Sequence, residues 1–255
     1  MCHYLYSAFA DTDFSHRARR VPIQKRRPVR FTMFDIAKQH FDLLSFLILA
    51  ALFVLYPQID LAVSSQFYDP ELGAWPLSDN PVAVSIYGIF RYLPYLLVPV
   101  LLIAVAASLF RSGPKGQDKK ILIFLLVTLI AGPGILVHSV FKEGFDRARP
   151  KNVEQFDGRK TFTPAFVISD SCSKGCNSFV SGHAAMGFWF MALGWVFRSR
   201  AWFWGGILTG VVLGATRIVQ GGHFLSDTLF AGYVCYFTFR ICGWGLLGES
   251  RVLPK

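Results

Sequence analysis

The sequence predicts an all-α, polytopic membrane protein with six transmembrane helices and a functional site at their periplasmic ends. Composition is the first reason: 53% of the residues are hydrophobic, 16% are aromatic and only 16% are charged, against about 25% charged in an average soluble domain. The mean hydropathy is +0.41. The second reason is a series of long apolar stretches, and the third is that polar clusters follow or precede them. No strand-type alternation of apolar and polar residues competes with the helical pattern.

Six apolar stretches qualify as membrane spans. Inside lipid a spanning helix of about 20 apolar residues satisfies its own backbone hydrogen bonds. The stretches are 41–56, 91–110, 121–138, 183–197, 201–219 and 224–247. The first and fourth are short, so we expect them to include flanking residues. Together they define a membrane domain over residues 41–247.

Positive charges predict the orientation of this domain. Residues 1–40 form a basic arm, whereas the connection 57–81 has no Lys or Arg. The positive-inside rule then places both termini, including the tail 248–255, in the cytoplasm. The outer loop 141–180 is basic although it lies outside, and binding an anion explains that exception.

The formal net charge of +10 does not indicate nucleic-acid binding. The basic arm is most simply a topology determinant that lies on an anionic lipid leaflet. No nucleic-acid motif is present. We therefore expect the bilayer, and no nucleic acid, as a partner.

Two cysteines lie four residues apart in the outer loop. Cys172 and Cys176 would form a disulfide that closes a small loop, which an oxidising compartment permits. A zinc site is the alternative, but no second cysteine pair accompanies them. We predict a disulfide.

The first polar cluster is the run from Lys142 to Pro150. Lys142 and Arg149 are seven residues apart, about two helical turns, so both would face one side of a helix that Pro150 ends. Two permanent cations suit a phosphate. The alternative is that cationic side chains at a helix end extend to the interface.

The second cluster, Ser181-Gly182-His183, immediately precedes the fourth apolar stretch. A serine N-cap leaves backbone N–H groups directed outward at the positive end of a helix, and glycine allows an anion to approach closely. Alone, the three residues also fit a helix cap with an interfacial histidine.

The third cluster comprises Arg217, a two-glycine turn, His223 and Asp227. The spacing of four residues places the carboxylate beside the imidazole on one helix face. A carboxylate that fixes the tautomer of a histidine makes its other ring nitrogen a nucleophile or base. The alternative is a structural ion pair between Arg217 and Asp227.

In order and spacing, the three clusters resemble the signature of the type-2 phosphatidic acid phosphatase superfamily. The match comprises Lys142-x6-Arg149-Pro150, Ser181-Gly182-His183 and Arg217-x5-His223-x3-Asp227. Two positions depart from it: Val180 stands where many members have Pro, and Thr216 where many have Ser. Within the superfamily, the outer loop and the segment 59–69 resemble bacterial inner-membrane lipid A phosphatases.

The resemblance implies a phosphatase that needs no metal or other cofactor and acts on a phosphorylated lipid. His223 would attack phosphorus to form a phosphohistidine, Asp227 would hold the ring and His183 would protonate the departing oxygen. The remaining signature residues would bind the phosphate: Lys142, Arg149, Arg217 and the backbone amides of Ser181 and Gly182. Lipid A is the expected substrate, with undecaprenyl diphosphate or phosphatidylglycerophosphate as alternatives.

A membrane transporter or structural subunit is the alternative outside the enzymes. Transport sites usually lie near the bilayer midplane between broken helices. The polar clusters here fall at the ends of the apolar stretches, which favours the enzyme.

Overall fold

The computed structural model describes residues 40–110, 116–169 and 176–252, and its regular structure in these ranges is helical. The all-α prediction is therefore confirmed for the described residues. The basic arm, apart from its last residue, lies outside these ranges, as does Cys172. The helices are α1 Phe41–Leu55, α2 Gln58–Ser65, α3 Pro81–Phe110, α4 Gly116–Leu129, α5 Gly182–Phe188, α6 Ala192–Phe197, α7 Arg200–Val219 and α8 Leu225–Cys242.

Wider and tighter helical turns extend several of these helices. A π-helix over Ile130–Lys142 continues α4, and a short turn over Glu143–Phe145 follows it. A 3₁₀ turn over Trp189–Met191 joins α5 to α6. Pro133 lies inside the π-helix, where a proline removes one backbone hydrogen bond and disturbs regular α geometry. The π-helix that continues α4 places Lys142 at one end of the bundle.

The prediction of six spans is confirmed only in part. Four helical stretches are long and apolar enough to cross a membrane, and the bent pair α1 and α2 would make a fifth. The fourth predicted stretch is a helical run of 16 residues, Gly182–Phe197, which reaches about 24 Å. That is shorter than a hydrocarbon core of about 30 Å.

Burial explains why this short run can be central to the fold. Nearly all residues of α5 are buried, whereas only 6% of the apolar window of α3 is buried inside the protein. A helix surrounded by other helices buries its apolar side chains against them and does not need contact with lipid. The main core forms around this run, and it includes Phe124, Val137, Ala184, Ala185, Met186, Trp189, Trp195, Phe230 and Phe239.

A sharp bend separates the first two helices. The axes of α1 and α2 meet at 82°, and Pro57 is the N-cap of α2. Proline has no N–H to continue α1, and it disfavours helical geometry at the preceding Tyr56. The bend directs α2 across the end of the bundle, where Asp60 is fully buried.

A second, smaller core covers the same end of the bundle. Trp75, Val153, Phe156 and Phe224 are buried there with Ala148 and Cys176. The ring centroids of Trp75 and Phe156 lie 5.4 Å apart in an edge-to-face contact, a geometry that adds to the energy of burial. Cys176 is disulfide-bonded, but its predicted pairing with Cys172 stays a prediction because Cys172 lies outside the described residues.

The close crossing of α7 with the 3₁₀ turn before α6 generates a stability prediction. A Cβ on Gly206 would lie 2.1 Å from the backbone nitrogen of Met191, while a Cβ on the adjacent Gly205 would meet nothing within 4 Å. We expect Gly206→Ala to lower stability by about 1–3 kcal/mol, the usual cost of overpacking. Thermal unfolding in detergent measures the change.

Gly205→Ala is the matched control, because it adds the same methyl group one residue away. Alanine is the better helix former by about 1 kcal/mol, so this variant should be as stable as the wild type or more stable. Equal behaviour of the two variants would contradict the close crossing.

Candidate active site

Asp227 connects the three polar clusters of the sequence. Its Oδ1 accepts a hydrogen bond of 2.6 Å from Arg147 in the first cluster, and its backbone oxygen accepts one of 3.0 Å from the Ser181 amide in the second. Its Oδ2 accepts from the backbone N–H of Phe224, at 2.8 Å, within the third. The carboxylate is fully buried. The clusters therefore meet at one site, as the sequence predicts.

The helix of the first cluster ends earlier than predicted. It stops at Phe145, Asp146 has a left-handed backbone, and Arg149 is extended. The expectation of one continuous helix up to Pro150 is wrong, because the helix breaks at the left-handed Asp146; the proline accounts only for the extended backbone of Arg149. Lys142 and Arg149 still act on each other electrostatically, because the chain turns back after Asp146.

Lys142 lies directly against the second cluster. Its Nζ is 3.0 Å from the place where a Cβ on Gly182 would be, and 3.3 Å from Nδ1 of His138. A side chain on Gly182 would press against the ammonium group and require it to shift. The absence of a side chain at Gly182 thus allows the Lys142 ammonium group to lie close to the backbone at the start of the helix.

Ser181 caps the buried helical run as predicted. Its Oγ accepts a hydrogen bond from the Ala184 amide at 3.3 Å, which is typical of an N-cap. One detail differs from the prediction, because the Ser181 amide already donates to Asp227. The amides of Gly182 and His183 follow it in the first turn and face the positive end of the helix.

Arg217 is held by neutral groups. Its guanidinium donates to Oε1 of Gln220 and lies 4.6 Å from the ring centroid of Tyr87. Its Nε is buried and has no hydrogen-bond partner among the described residues. An unsatisfied buried donor is rare in proteins, so an anion that fits between the clusters would satisfy it.

His183 shows the same feature. Its ring stacks on Tyr87 with centroids 4.4 Å apart, and its buried Nε2 lacks a partner in the described part of the chain. The ring is within electrostatic reach of Arg217, His223, Lys142 and Arg149. Two orphaned nitrogens, on His183 and Arg217, therefore border one cationic space.

The tautomer of His223 follows from its hydrogen bonds. Its Nδ1 lies 2.9 Å from the backbone oxygen of Ser178 and 3.5 Å from Oδ2 of Asp227. A carbonyl oxygen can only accept, so Nδ1 carries the proton and Nε2 is left with its lone pair. Asp227 is adjacent as the four-residue spacing predicts, but the shorter contact is to Ser178, which sequence analysis did not assign to the site.

Burial also determines the charge of His223. Desolvation lowers the pKa of His223 to about 4, against an opposing effect of Asp227. Burial disfavours the imidazolium form. The ring is therefore neutral at physiological pH, as a nucleophile must be.

Arg147 and Asp60 belong to the hydrogen-bond network of the site, and sequence analysis did not assign them to it. Arg147 is 1% exposed and bonds to both Asp227 and Asp60, at 2.6 and 2.8 Å. The signal for Arg147 was a third cation within the run from Lys142 to Pro150. Asp60 gave no local signal, because its contact lies 87 residues away along the chain.

The rim of the site is strongly cationic. Within the ranges that the structure covers, Lys142, Arg149 and Arg217 form no ion pair with a carboxylate. No group of three or more His, Cys, Asp or Glu side chains in those ranges could hold a metal ion. Independence of metal stays a prediction that activity must test. Three unpaired cations around two orphaned nitrogens are suited to a phosphate group.

These features define a membrane-bound phosphatase, and the comparisons agree. The model of the PAP2 superfamily matches residues 120–246, a range that contains all three clusters. A lipid A 4'-phosphatase of Francisella tularensis subsp. novicida (strain U112) is 35% identical over 190 residues, which cover 73% of this chain and 85% of that protein. The chain belongs to the PAP2 superfamily, and its resemblance to the lipid A phosphatase branch is confirmed.

Two further relatives align with similar shares of this chain. A lipid A 4'-phosphatase of Rhizobium leguminosarum is 30% identical over 200 residues, covering 71% of this chain and 84% of the relative. A lipid A 1-phosphatase of Rhizobium etli (strain ATCC 51251 / DSM 11541 / JCM 21823 / NBRC 15573 / CFN 42) is 28% identical over 205 residues, covering 72% and 82%. No solved structure is significantly similar to the chain. The protein is a lipid phosphatase of the membrane.

The lowered pKa of His223 predicts a low acid limit for its reaction with phosphate. A histidine that attacks phosphorus must be neutral, and a depressed pKa keeps the His223 ring neutral until the pH falls to about 4. With an aryl phosphate, whose leaving group needs no proton, the rate of enzyme phosphorylation should stay constant from pH 8 to about pH 5. Rapid-quench measurements, corrected for ionisation of the substrate, test this. A fall centred near 6.5, the ordinary pKa of histidine, would contradict the buried, neutral ring.

Proposed function

We propose that this protein removes a phosphate from lipid A at the periplasmic face of the bacterial inner membrane, through a phosphohistidine on His223. The observation that carries the proposal is the unprotonated Nε2 of His223, which has no hydrogen-bond partner among the described residues. It lies in a site whose rim is cationic and includes two nitrogens, on His183 and Arg217, that lack partners in the same ranges. A neutral nucleophile beside unpaired cations suits an anionic phosphorus centre.

In the first step, the lone pair on Nε2 of His223 attacks phosphorus and the bond from phosphorus to the lipid oxygen breaks. Nδ1 keeps its proton, which stays hydrogen-bonded to the Ser178 carbonyl, so the phosphorylated ring is a cation beside Asp227. Burial and nearby cations lower the pKa of His183, and a bound phosphate anion opposes that effect. His183 therefore takes up a proton together with the phosphate and gives it to the departing oxygen. Lys142, Arg149 and Arg217, with the Gly182 amide, neutralise the charge on the other phosphate oxygens.

In the second step, water attacks the phosphohistidine and the bond from nitrogen to phosphorus breaks. His183, now neutral, takes a proton from that water and returns to its starting state. Inorganic phosphate leaves, and His223 recovers its lone pair. His183 has a role in both steps because it faces the same cationic space as His223.

A groove beside His183 supports a lipid substrate. It lies between α3 and the π-helix, and its lining is mostly apolar or aromatic, including Tyr87, Phe90, Pro94, Tyr95, Val98, Leu129, Pro133, Ile135 and Met186. Acyl chains could follow this groove from the bilayer while the phosphate reaches the cationic rim. A soluble phosphate ester would gain nothing from such a surface.

The relatives favour lipid A, and its 4' position, over other phosphorylated lipids. Both of the relatives described above with 30% identity or more are named lipid A 4'-phosphatases, and the 1-phosphatase is 28% identical. The absence of Lys and Arg from residues 57–81 favours an outer location for that connection. Six spans with both termini in the cytoplasm would place the site at the periplasmic face.

A lipid panel tests the substrate. The protein, purified in detergent, should release phosphate from lipid A in the presence of EDTA, and the product should be the 1-monophosphate. Release from undecaprenyl diphosphate or phosphatidylglycerophosphate, with lipid A untouched, would replace the proposed substrate. Complete loss of activity in EDTA, with rescue by Mg²⁺ or Zn²⁺, would refute the metal-independent mechanism.

Substitution of the two histidines tests the division of their roles. His223→Ala should abolish turnover and leave no phosphoenzyme, because it removes the nucleophile. His183→Ala should slow lipid hydrolysis by about 10²- to 10⁴-fold, with a much smaller effect on phosphorylation by an aryl phosphate. Acid-labile, base-stable phosphate on the protein is the readout. Undiminished signal in His223→Ala, with none in His183→Ala, would mean that the roles are reversed.

A further inference from the structure

Asp60 belongs to a continuous buried cluster that ends at the catalytic histidine. One of its oxygens, Oδ2, accepts from Arg147 at 2.8 Å and from the Ser226 hydroxyl at 2.5 Å. The other, Oδ1, accepts from the Ser226 amide at 2.9 Å. Arg147 also donates to Asp227, which lies beside His223. Asp60 thus reaches His223 through Arg147 and Asp227, without touching it.

The charges of this cluster do not cancel. Hydrogen bonds from the Arg147 guanidinium to both carboxylates, and from the amide and hydroxyl of Ser226 to Asp60, favour their ionised forms. Asp227 and Asp60 then each contribute −1 and Arg147 contributes +1, so the ionised cluster has a net charge of −1. The Arg147 guanidinium lies 2.6 Å from the Asp227 carboxylate, whereas His223 lies 3.5 Å from it. Without Asp60, Arg147 would therefore neutralise the charge of Asp227. A neutral pair attracts a cationic ring far less than a carboxylate does.

We propose that Asp60 is a positioning residue that returns one unit of negative charge to the cluster behind His223. This inference rests on the proposed phosphohistidine chemistry. Its consequence is that the energy of the phosphorylated, cationic ring depends on a residue of α2 that never contacts substrate. The bend at Pro57 then has a chemical role, since it carries this carboxylate to the cluster.

The surroundings of His223 give Asp60 this influence. Arg217 of α7 and Arg149 of the outer loop act on the ring as cations, and His183 of α5 faces it as a third basic group. Asp227 acts in the opposite direction. With cations on the substrate side, the net charge of the Asp60, Arg147 and Asp227 cluster decides how well a positive ring is stabilised.

The proposal makes the two chemical steps respond in opposite directions. A less negative cluster makes the imidazole a poorer nucleophile, so the phosphohistidine forms more slowly. The same change makes the imidazole a better leaving group, so water breaks the intermediate faster. Loss of a structural contact would instead misplace the ring and slow both steps.

The test is to measure both steps in Asp60→Asn, with an aryl phosphate as substrate and rapid quenching of the phosphoenzyme. A unit charge on the order of 10 Å away, at an effective dielectric constant of about 20, changes an equilibrium by roughly tenfold. We expect the ratio of the formation rate to the breakdown rate to fall by about that factor. Formation should be slower and breakdown faster than in the wild type.

The double variant Asp60→Asn with Arg147→Gln restores the charge balance, because Asp227 alone again leaves −1. Its ratio of the two rates should return toward that of the wild type. This variant also decides the question if Asp60→Asn alone fails to fold, since it leaves no unpaired guanidinium. Slowing of both steps in a folded double variant would then overturn the proposal.

Two controls separate charge from contact. Ser226→Ala removes two hydrogen bonds within the cluster, to Asp60 and from Arg147, and no charge, so the ratio should not change. Asp42→Asn removes a carboxylate from another ion pair, with Arg240, which is 13 residues or about 20 Å beyond Asp227 on the same helix. It should also leave the ratio unchanged.

The outcomes distinguish this inference from the proposed function. If the wild type itself forms no phosphoenzyme, the phosphohistidine mechanism fails. If the wild type forms it and folded Asp60→Asn has the same two rates, or slows both, the role assigned to Asp60 is wrong.

Discussion

The site depends on one buried carboxylate that receives hydrogen bonds from separate parts of the chain. Asp227 accepts from Arg147 and from the Ser178 hydroxyl, at 2.6 and 2.5 Å, while its backbone oxygen holds the amide of Ser181. A buried charge is tolerated only when it is paired and fully hydrogen-bonded. The need to satisfy this carboxylate therefore fixes the relative positions of the three clusters to which we assign the binding of phosphate and the attack on it.

Satisfied and unsatisfied polar groups are segregated in the site. Behind His223, Arg147 is bonded on all sides to Asp60, Asp227, Ser226 and the Thr163 carbonyl. Removal of one partner from such a buried pair typically costs about 3–5 kcal/mol, so this region is rigid. At the rim, nitrogens of His183 and Arg217 have no partner in the described ranges. The hydrogen-bonded groups around Arg147 therefore stabilise the position of His223, while the groups without partners, on His183 and Arg217, are available to bind an anion.

The three clusters were predictable from the sequence, whereas the cluster behind the nucleophile was not. Fixed spacings indicate His223 beside Asp227 and Ser181 as a helix cap, because both relations lie within one turn of a helix. Asp60 and Ser178 act through contacts to distant segments, which periodicity does not reveal. The span count is confirmed only in part for a related reason: hydropathy does not distinguish a helix in contact with lipid from one, such as Gly182–Phe197, that is buried among other helices.

The most direct test of the account is the stereochemical course at phosphorus. A phosphate monoester that is chiral through its oxygen isotopes would be hydrolysed, or its phosphoryl group transferred to an acceptor alcohol, and the product configuration determined by ³¹P NMR. Attack by His223 followed by attack of water on the phosphohistidine comprises two in-line displacements, each with inversion, so the account predicts overall retention. Overall inversion would show a single displacement by water and would contradict the covalent intermediate.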